Sequence, residues 1–184
     1  MNNVEPSWLG QALKGNTEAF TQLVEAYQSP VYNLCYRMLG DAYEAEDAAQ
    51  ETFLRAWKAL DNLNDTGAAK SWLITILRRE YARTFERKVP KFTDVDTVVV
   101  PDDGELEPDA RAEIDLLRRN IMKLPIKYRE PLLLQAVLGC SCEEIAAELG
   151  ISRSAVMTQL FRAREQLKAQ LEQAGGAGNV HGLF

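Results

Sequence analysis

The stretch DAYEAEDAAQETFLRAW, residues 41–57, concentrates side-chain carboxylates in a segment with a helical pattern: Asp41, Glu44, Glu46, Asp47 and Glu51. Clustered carboxylates can hold a metal ion, form a solvated surface or face a basic partner. A helical di-metal site needs Glu-x-x-His pairs, and the single histidine of the chain is His181, close to the C-terminus. We therefore expect no metal site, and the other two interpretations remain.

A second candidate surface lies in CEEIAAELGISRSAVMTQLFRARE, residues 142–165. A short helix, a turn at Gly150 and a longer helix make a helix-turn-helix pattern. The longer helix directs a polar, basic and aromatic set outward: Arg153, Ser154, Thr158, Phe161, Arg162 and Arg164. Arginine can bridge two acceptors on guanine, threonine can bond a base or a phosphate, and phenylalanine can contact a thymine methyl. Ser152, at the helix N-terminus, can bind a phosphate. The pattern predicts binding to duplex DNA; the alternative is a helical hairpin with solvated arginines.

The composition is that of a globular protein, with 46% apolar and 26% charged residues among 184. No apolar run is long enough to cross a bilayer, and the N-terminal MNNVEPSWLGQALKG lacks the pattern of a secretory signal. The chain has three cysteines, which does not suggest a disulfide framework. We expect a cytoplasmic protein without membrane insertion.

The net charge of −6 hides a strong segregation of charge along the chain. Seven basic residues lie between Lys70 and Lys91, against Glu80 and Glu86. Nine acids follow between positions 92 and 115, against Arg111 alone. Four basic residues then lie between positions 151 and 168, against Glu165. Two basic segments therefore flank an acidic one, so the negative total does not argue against nucleic acid.

Helical periodicity dominates the elements that must position these residues. Apolar stripes predict a helix over 20–39, bent near Pro30 and stopped by Gly40, and a second helix capped by Asp41. The buried face of the second helix is predicted to be Ala45, Ala48, Ala49, Thr52, Phe53, Ala56, Trp57 and Leu60. A loop over 60–71 and a basic helix follow, with Trp72, Leu73, Ile76 and Leu77 inward.

The stretch 89–108 lacks a sustained helical period and contains three prolines, so it reads as a flexible acidic linker. Beyond the linker, apolar patterns predict a helix that contains Ile121, a second helix over 126–138, and the two helices of the helix-turn-helix. The prediction is an all-α chain of two small helical domains: 1–88, the linker 89–108, then 109–173, with a disordered tail over 174–184.

Cys140 and Cys142 raise the possibility of a metal or redox site. Their C-x-C spacing differs from the usual C-x-x-C, and the remaining soft ligands are Cys35 and His181. Cysteine also packs well as a small buried apolar residue, which is the alternative interpretation.

Two blocks in order resemble a known family. DAYEAEDAAQETFLRAWKAL followed by SWLITILRREYARTFERK resembles region 2 of the sigma-70 family, and LPIKYREPLLLQAVLGCSCEEIAAELGISRSAVMTQLFRAREQL resembles region 4. The short linker makes the chain similar to an extracytoplasmic-function (ECF) sigma factor. The resemblance covers residues 7 to 173. It implies a non-catalytic initiation factor without a cofactor, which binds core RNA polymerase, recognises two promoter elements and helps to melt DNA.

The resemblance also assigns surfaces. It implies that Asp47, Gln50, Glu51 and Leu54 dock on the clamp coiled coil of the polymerase β′ subunit, so the acids would face a basic partner. The −10 element would be contacted by Asn62, Asn64, Asp65, Thr66, Lys70, Arg78, Arg79 and Arg83. The −35 element would be contacted by Ser152, Arg153, Ser154, Thr158, Phe161, Arg162 and Arg164.

The family further implies an anti-sigma factor as partner and a chain that is monomeric when free. The acidic linker would thread the RNA exit channel as a stand-in for RNA, or act only as a soluble spacer. Two rival functions account for less of the sequence. A helix-turn-helix regulator acting without polymerase leaves Asp47, Gln50 and Glu51 unexplained. An enzyme would need a phosphate loop, a nucleophile with its base or a metal cluster, and the sequence contains no such pattern.

Overall fold

The computed structural model describes residues 17–63, 66–87 and 108–173, which fall into two separate units. Within these ranges every regular element is an α-helix or a short 3-10 turn, which confirms the all-α prediction. The predicted linker, apart from Pro108, and the predicted tail over 174–184 lie outside the described residues. The domain boundaries therefore stay predictions.

Over residues 17–63 and 66–87 the first unit has three helices: α1 (Thr17–Leu39), α2 (Ala42–Lys58) and α3 (Ala69–Arg87). Two 3-10 turns, Leu60–Asn62 and Thr66–Ala68, lie between α2 and α3, where the sequence predicted a loop. Gly40 ends α1 with a φ of 74°, in the left-handed region that favours glycine. The Asp41 side chain then accepts a hydrogen bond from the Glu44 backbone amide at 3.0 Å, so Asp41 is the N-cap of α2 as predicted.

The core of the first unit combines large residues of α1 and α3 with small residues of α2. Because alanine lacks a long side chain, α2 can approach its neighbours closely at its N-terminal end. The buried apolar residues include Leu23, Leu34, Met38, Ala45, Ala48, Ala56, Leu73 and Leu77. Burial at this level removes roughly 2 kcal/mol of unfavourable hydration for each large aliphatic side chain.

The predicted buried face of α2 was wrong at Trp57, whose exposed fraction is 40%. Its ring lies edge-on to Phe20 of α1, with the two ring centroids 4.9 Å apart. Trp57 therefore packs at the rim of the core and keeps one side open to solvent. Phe53 and Trp72, also predicted to point inward, are half-buried.

Over residues 108–173 the second unit has four helices: α4 (Pro108–Lys123), α5 (Ile126–Leu138), α6 (Cys142–Leu149) and α7 (Arg153–Gln173). Ser141 and Glu144 form the predicted capping box at the start of α6, with bonds of 3.1 and 2.7 Å. Gly150 adopts the left-handed conformation at φ 66° and turns the chain toward α7. The predicted core face of α7 is confirmed, since all of its members are buried: Val156, Leu160, Ala163, Leu167 and Leu171.

A buried arginine fixes α5 to the end of α4. Arg129 is 8% exposed, and its guanidinium donates to the backbone carbonyls of Met122 and Leu124, the latter at 3.0 Å. These carbonyls lack helical partners at a C-terminus, so the arginine satisfies them. Burial lowers the pKa of Arg129 from its usual value. The first turn of α5 is thereby held in a defined position.

Candidate functional site

The outer face of α2 carries the first candidate surface. Asp47 and Gln50 are exposed, Glu51 is half-buried, and Leu54 is 53% exposed. Gln50 donates to Glu46 at 3.1 Å, and Glu51 pairs with Arg55 at 2.8 Å. The structure thus brings all four residues of the predicted docking set to one solvent-facing side of a single helix.

Two exposed aromatic residues extend this face, and sequence reasoning missed both. Tyr43 is 80% exposed and Trp57 is 40% exposed. The residues Tyr43, Asp47, Gln50, Leu54 and Trp57 follow one another at steps of four, three, four and three along the sequence. A repeat of 3.5 residues is the spacing with which helices pack in a coiled coil. We refer to these five residues as the α2 stripe.

Behind the stripe, a buried carboxylate joins α2 to α3. Glu80 is 4% exposed, and its Oε1 atom lies 2.9 Å from Arg55 Nε and 2.8 Å from Arg83 Nη1. Arg55 also reaches Glu51 at 2.8 Å. The result is a continuous chain of ion pairs, Glu51–Arg55–Glu80–Arg83, which we call the Glu80 chain. A buried carboxylate needs such partners, because desolvation otherwise destabilises its charge.

The predicted −10 residues are placed unevenly. Arg79 and Arg83 are exposed on α3, although Arg83 is held by Glu80. Lys70 and Arg78 are half-buried, and both interact within the chain. Asn62 ends the first 3-10 turn and Thr66 begins the second. The side chains of Asn62 and Thr66, and the whole of Asn64 and Asp65, lie outside the described residues. The structure therefore brings the basic part of this set together on one helix.

The outer face of α7 carries most of the predicted −35 set. Ser152, Ser154, Thr158 and Arg162 are exposed, and Phe161 is 59% exposed. Ser152 caps α7 by accepting from the Ala155 amide at 3.2 Å, so its hydroxyl already serves the helix. Met157, which the sequence reasoning passed over, is 51% exposed, four residues before Phe161. The face therefore mixes hydroxyl, guanidinium and apolar groups.

Two arginines of the predicted −35 set have partners inside the fold. Arg153 Nε lies 2.5 Å from Glu143 Oε1, and both side chains are more than half exposed. Arg164 is half-buried and donates to Gln135 of α5 at 2.6 Å. Arg164 was predicted to point outward, and this placement corrects that prediction: it ties α7 to α5. The periodicity of α7 could not reveal either partner, because both lie on other helices.

The described residues contain no group of three or more side chains that could hold a metal ion. Cys140 is buried and Cys142 half-buried, both as free thiols. Cys35 is fully buried in the first unit, and desolvation raises the pKa of its thiol to about 12. None of the helices in the described ranges is both long and apolar enough to traverse a bilayer.

The two units match the two parts of one family. Residues 23–89 match sigma-70 region 2, and residues 114–167 match sigma-70 region 4. The ECF RNA polymerase sigma factor SigW of Bacillus subtilis is 34% identical to the chain over 88% of the chain and 93% of SigW. The RNA polymerase sigma-H factor of Pseudomonas aeruginosa is 31% identical, over 86% of the chain and 89% of that protein.

Solved structures of sigma factors are also similar to the chain. CnrH, solved in complex with the cytosolic domain of CnrY, matches with a TM-score of 0.69 and 28% identity over 90% of this chain and 96% of CnrH. RpoE from Bartonella quintana matches in fold, with a TM-score of 0.71 and 23% identity over 85% of this chain and 98% of RpoE. The paired region 2 and region 4 matches, over two helical units in that order, place the chain in the sigma-70 family, among the transcription initiation factors of the ECF type.

Proposed function

We propose that this ECF sigma factor binds core RNA polymerase through the α2 stripe and Glu51, with the clamp coiled coil of the β′ subunit as the partner surface. The observation that carries the proposal is the solvent-facing repeat of 3.5 residues on α2, which presents apolar groups at its ends and polar groups between them. Such a repeat suits packing against another helix, and the carboxylates add register against basic residues. Aromatic side chains frequently supply the energetic anchors of interfaces.

In the bound state, the two basic surfaces would contact promoter DNA. The exposed face of α7 would read the −35 element in the major groove. Arg79 and Arg83 of α3, with the preceding turns, would hold the −10 element and its melted strand. In this function the chain is a non-catalytic subunit that works in the cytoplasm. A regulator acting without polymerase would leave the α2 stripe without a purpose.

We further propose that an anti-sigma factor restrains the chain until a signal releases it. The support is that CnrH, a relative similar over most of its length, is solved in complex with the cytosolic domain of CnrY. The free chain is proposed to be monomeric, since each of its candidate surfaces is assigned to a different partner.

The docking proposal is tested by Asp47→Lys. Asp47 is the best position because it is exposed, whereas reversing Glu51 would also break the pair with Arg55. Glu25→Lys is the matched control: it makes the same charge change on an exposed site of α1, outside the stripe. We expect Asp47→Lys to weaken capture of core polymerase by about tenfold, or roughly 1.4 kcal/mol, and Glu25→Lys to leave it unchanged.

Core capture is measured by pull-down with purified core enzyme and by promoter-dependent run-off transcription. Equal capture by the wild-type chain and Asp47→Lys would contradict docking through this face. Equal losses for both lysine variants would point to a general charge effect.

A further inference from the structure

A cleft of about 410 Å³ lies between the first turn of α5 and the N-terminal half of α7. Lys127 and Tyr128 form one wall of the cleft. The other wall includes Ser152, Thr158 and Arg162. The second wall belongs to the predicted −35 face. The first wall belongs to a helix outside the helix-turn-helix, to which no DNA contact was assigned from the sequence.

The side chains that line the cleft are either basic or neutral. It contains two cationic side chains, Lys127 and Arg162, together with several hydroxyl groups. Among residues 17–63, 66–87 and 108–173, no carboxylate lines it. In the described ranges neither cation forms an ion pair, in contrast to Arg153, which pairs with Glu143. In a chain with a net charge of −6, a cleft with two cations that pair with no carboxylate of the described residues favours an anionic ligand.

Local contacts hold the lysine at the mouth of the cleft. The ammonium group of Lys127 lies 4.8 Å from the centroid of the Tyr128 ring, within the range of a cation–π contact. The backbone amides of Tyr128 and Arg129 both donate to the Pro125 carbonyl at 2.9 Å. Arg129 in turn bonds to the end of α4. The position of Lys127 is therefore fixed by the packing of α5 in the second unit.

The neighbouring surface identifies the anion. The cleft is continuous with exposed α7, which is proposed above to enter the major groove, so the DNA backbone bordering that groove must pass close by. Backbone phosphates are contacted by lysine, hydroxyl groups and backbone amides, and such contacts set register without reading sequence. An acidic protein segment would also suit the charge, but it lacks this continuity with the proposed DNA-reading face.

We infer that Lys127, supported by Tyr128, binds a backbone phosphate of the −35 element and so makes the start of α5 a third DNA-contacting element of the second unit. The inference rests on the proposed function of α7. It adds to that function a residue that positions the recognition helix on the duplex. Arg162 reads bases on the other wall, whereas Lys127 contributes affinity that is independent of sequence.

The test uses holoenzyme, reconstituted from core polymerase and the full chain, on a promoter fragment that wild-type holoenzyme selects from a randomised library. Binding is measured as a function of salt for the wild type, Lys127→Ala, Lys127→Arg and the matched control Lys123→Ala. Lys123 is an exposed lysine in the last turn of α4, outside the cleft. For Lys127→Ala we expect weaker binding by the same factor on every sequence, with the slope of log affinity against log salt reduced by about 1.

A second readout locates the phosphate. Neutral methylphosphonate linkages are placed one at a time across the −35 element, and wild-type holoenzyme should lose affinity at several of them. Lys127→Ala should become insensitive at one of these positions, while Lys127→Arg keeps the wild-type profile. Thermal unfolding of each variant chain checks that the fold is retained.

The outcomes separate the inference from the function on which it rests. An unchanged salt slope and methylphosphonate profile for Lys127→Ala, with weakened binding by Arg162→Ala, would overturn the cleft inference alone. Unchanged −35 binding by Arg162→Ala as well would overturn the role proposed for α7 and the cleft inference with it. Loss of binding to an acidic protein partner by Lys127→Ala, with DNA binding unchanged, would assign the cleft to protein and refute the inference.

Discussion

Arg153 and Arg162 illustrate how far single residues can be interpreted from sequence. Both were predicted to reach DNA, and both are exposed on α7. Arg153 is paired with Glu143 at 2.5 Å, whereas Arg162 lines an acid-free cleft. An exposed ion pair contributes little net stability, so a DNA phosphate can replace Glu143 as the partner of Arg153. Helical spacing predicts which side chains face outward, but it does not predict which side chains of other helices they contact.

The cysteines give a prediction at the same scale. Burial raises the pKa of Cys35 to about 12, so its thiol stays protonated in the folded chain at neutral pH, and thiolate is the reactive form. Cys140 is buried and Cys142 half-buried. We expect a thiol reagent such as DTNB to titrate Cys142 quickly in the native chain, and the other two cysteines after unfolding. Immediate reaction of all three thiols would contradict the described packing.

The same shift has a consequence for alkaline stability. The folded pKa of Cys35 lies above 9.0, the ordinary value of a cysteine thiol in an unfolded chain, so the folded chain retains this proton where the unfolded chain loses it. The contribution of the neutral thiol is therefore complete below pH 9 and is lost as the pH rises toward 12. Cys35→Ala should flatten the decline in the free energy of unfolding across that window, as measured by urea titration at several pH values. A decline of equal steepness in the variant would contradict this assignment.

At the scale of elements, the helix starts were predictable because local chemistry fixes them. Asp41 caps α2 and Ser141 caps α6 within four residues of sequence. The Glu80 chain was not predicted, since the sequence analysis counted Glu80 only as one of two acids in a basic segment and assigned it no partner. A signal was present: Glu80 follows Ile76 by four residues and Leu77 by three, which places it on the apolar stripe. Its partner Arg55 lies on another helix, and that contact requires the tertiary structure.

The Glu80 chain predicts a coupling between α2 and α3. Glu80→Ala should lower the free energy of unfolding by about 1–2 kcal/mol, less than for a fully buried pair, because both arginines are about 42% exposed. The value is measured by urea unfolding followed by circular dichroism, with Glu25→Ala as the exposed control. In a double-mutant cycle, Arg55→Ala should lose part of its effect when Glu80 is already alanine. Strict additivity would show that the two side chains do not interact energetically.

At the scale of the whole molecule, the all-α class and the two units followed from periodicity and from the break in it over 89–108. The limits of these domains stay predictions, because most of the predicted linker lies outside the described residues. The sequence predicted an acidic docking face on α2 and a DNA-binding face on α7, but it did not predict every residue that belongs to them. Trp57 was missed because it was assigned to the buried face of the helix, and Tyr43 because it was assigned to neither face.

The domain prediction can be tested with a protease. Brief trypsin treatment should cut first at the basic residues just after α3, such as Lys88 or Lys91, where the sequence predicts a linker. Mass spectrometry should then find two resistant fragments, and circular dichroism should find both helical. First cuts within α1, α2 or α5 would contradict the predicted division.

The α2 stripe also bears on how the chain behaves when alone. Tyr43, Leu54 and Trp57 keep 80%, 53% and 40% of their surface in water on a single helix. Apolar surface of this kind promotes self-association as concentration rises. This helix should therefore contribute to the solubility limit of the isolated chain, together with the exposed Met157 and Phe161 of α7.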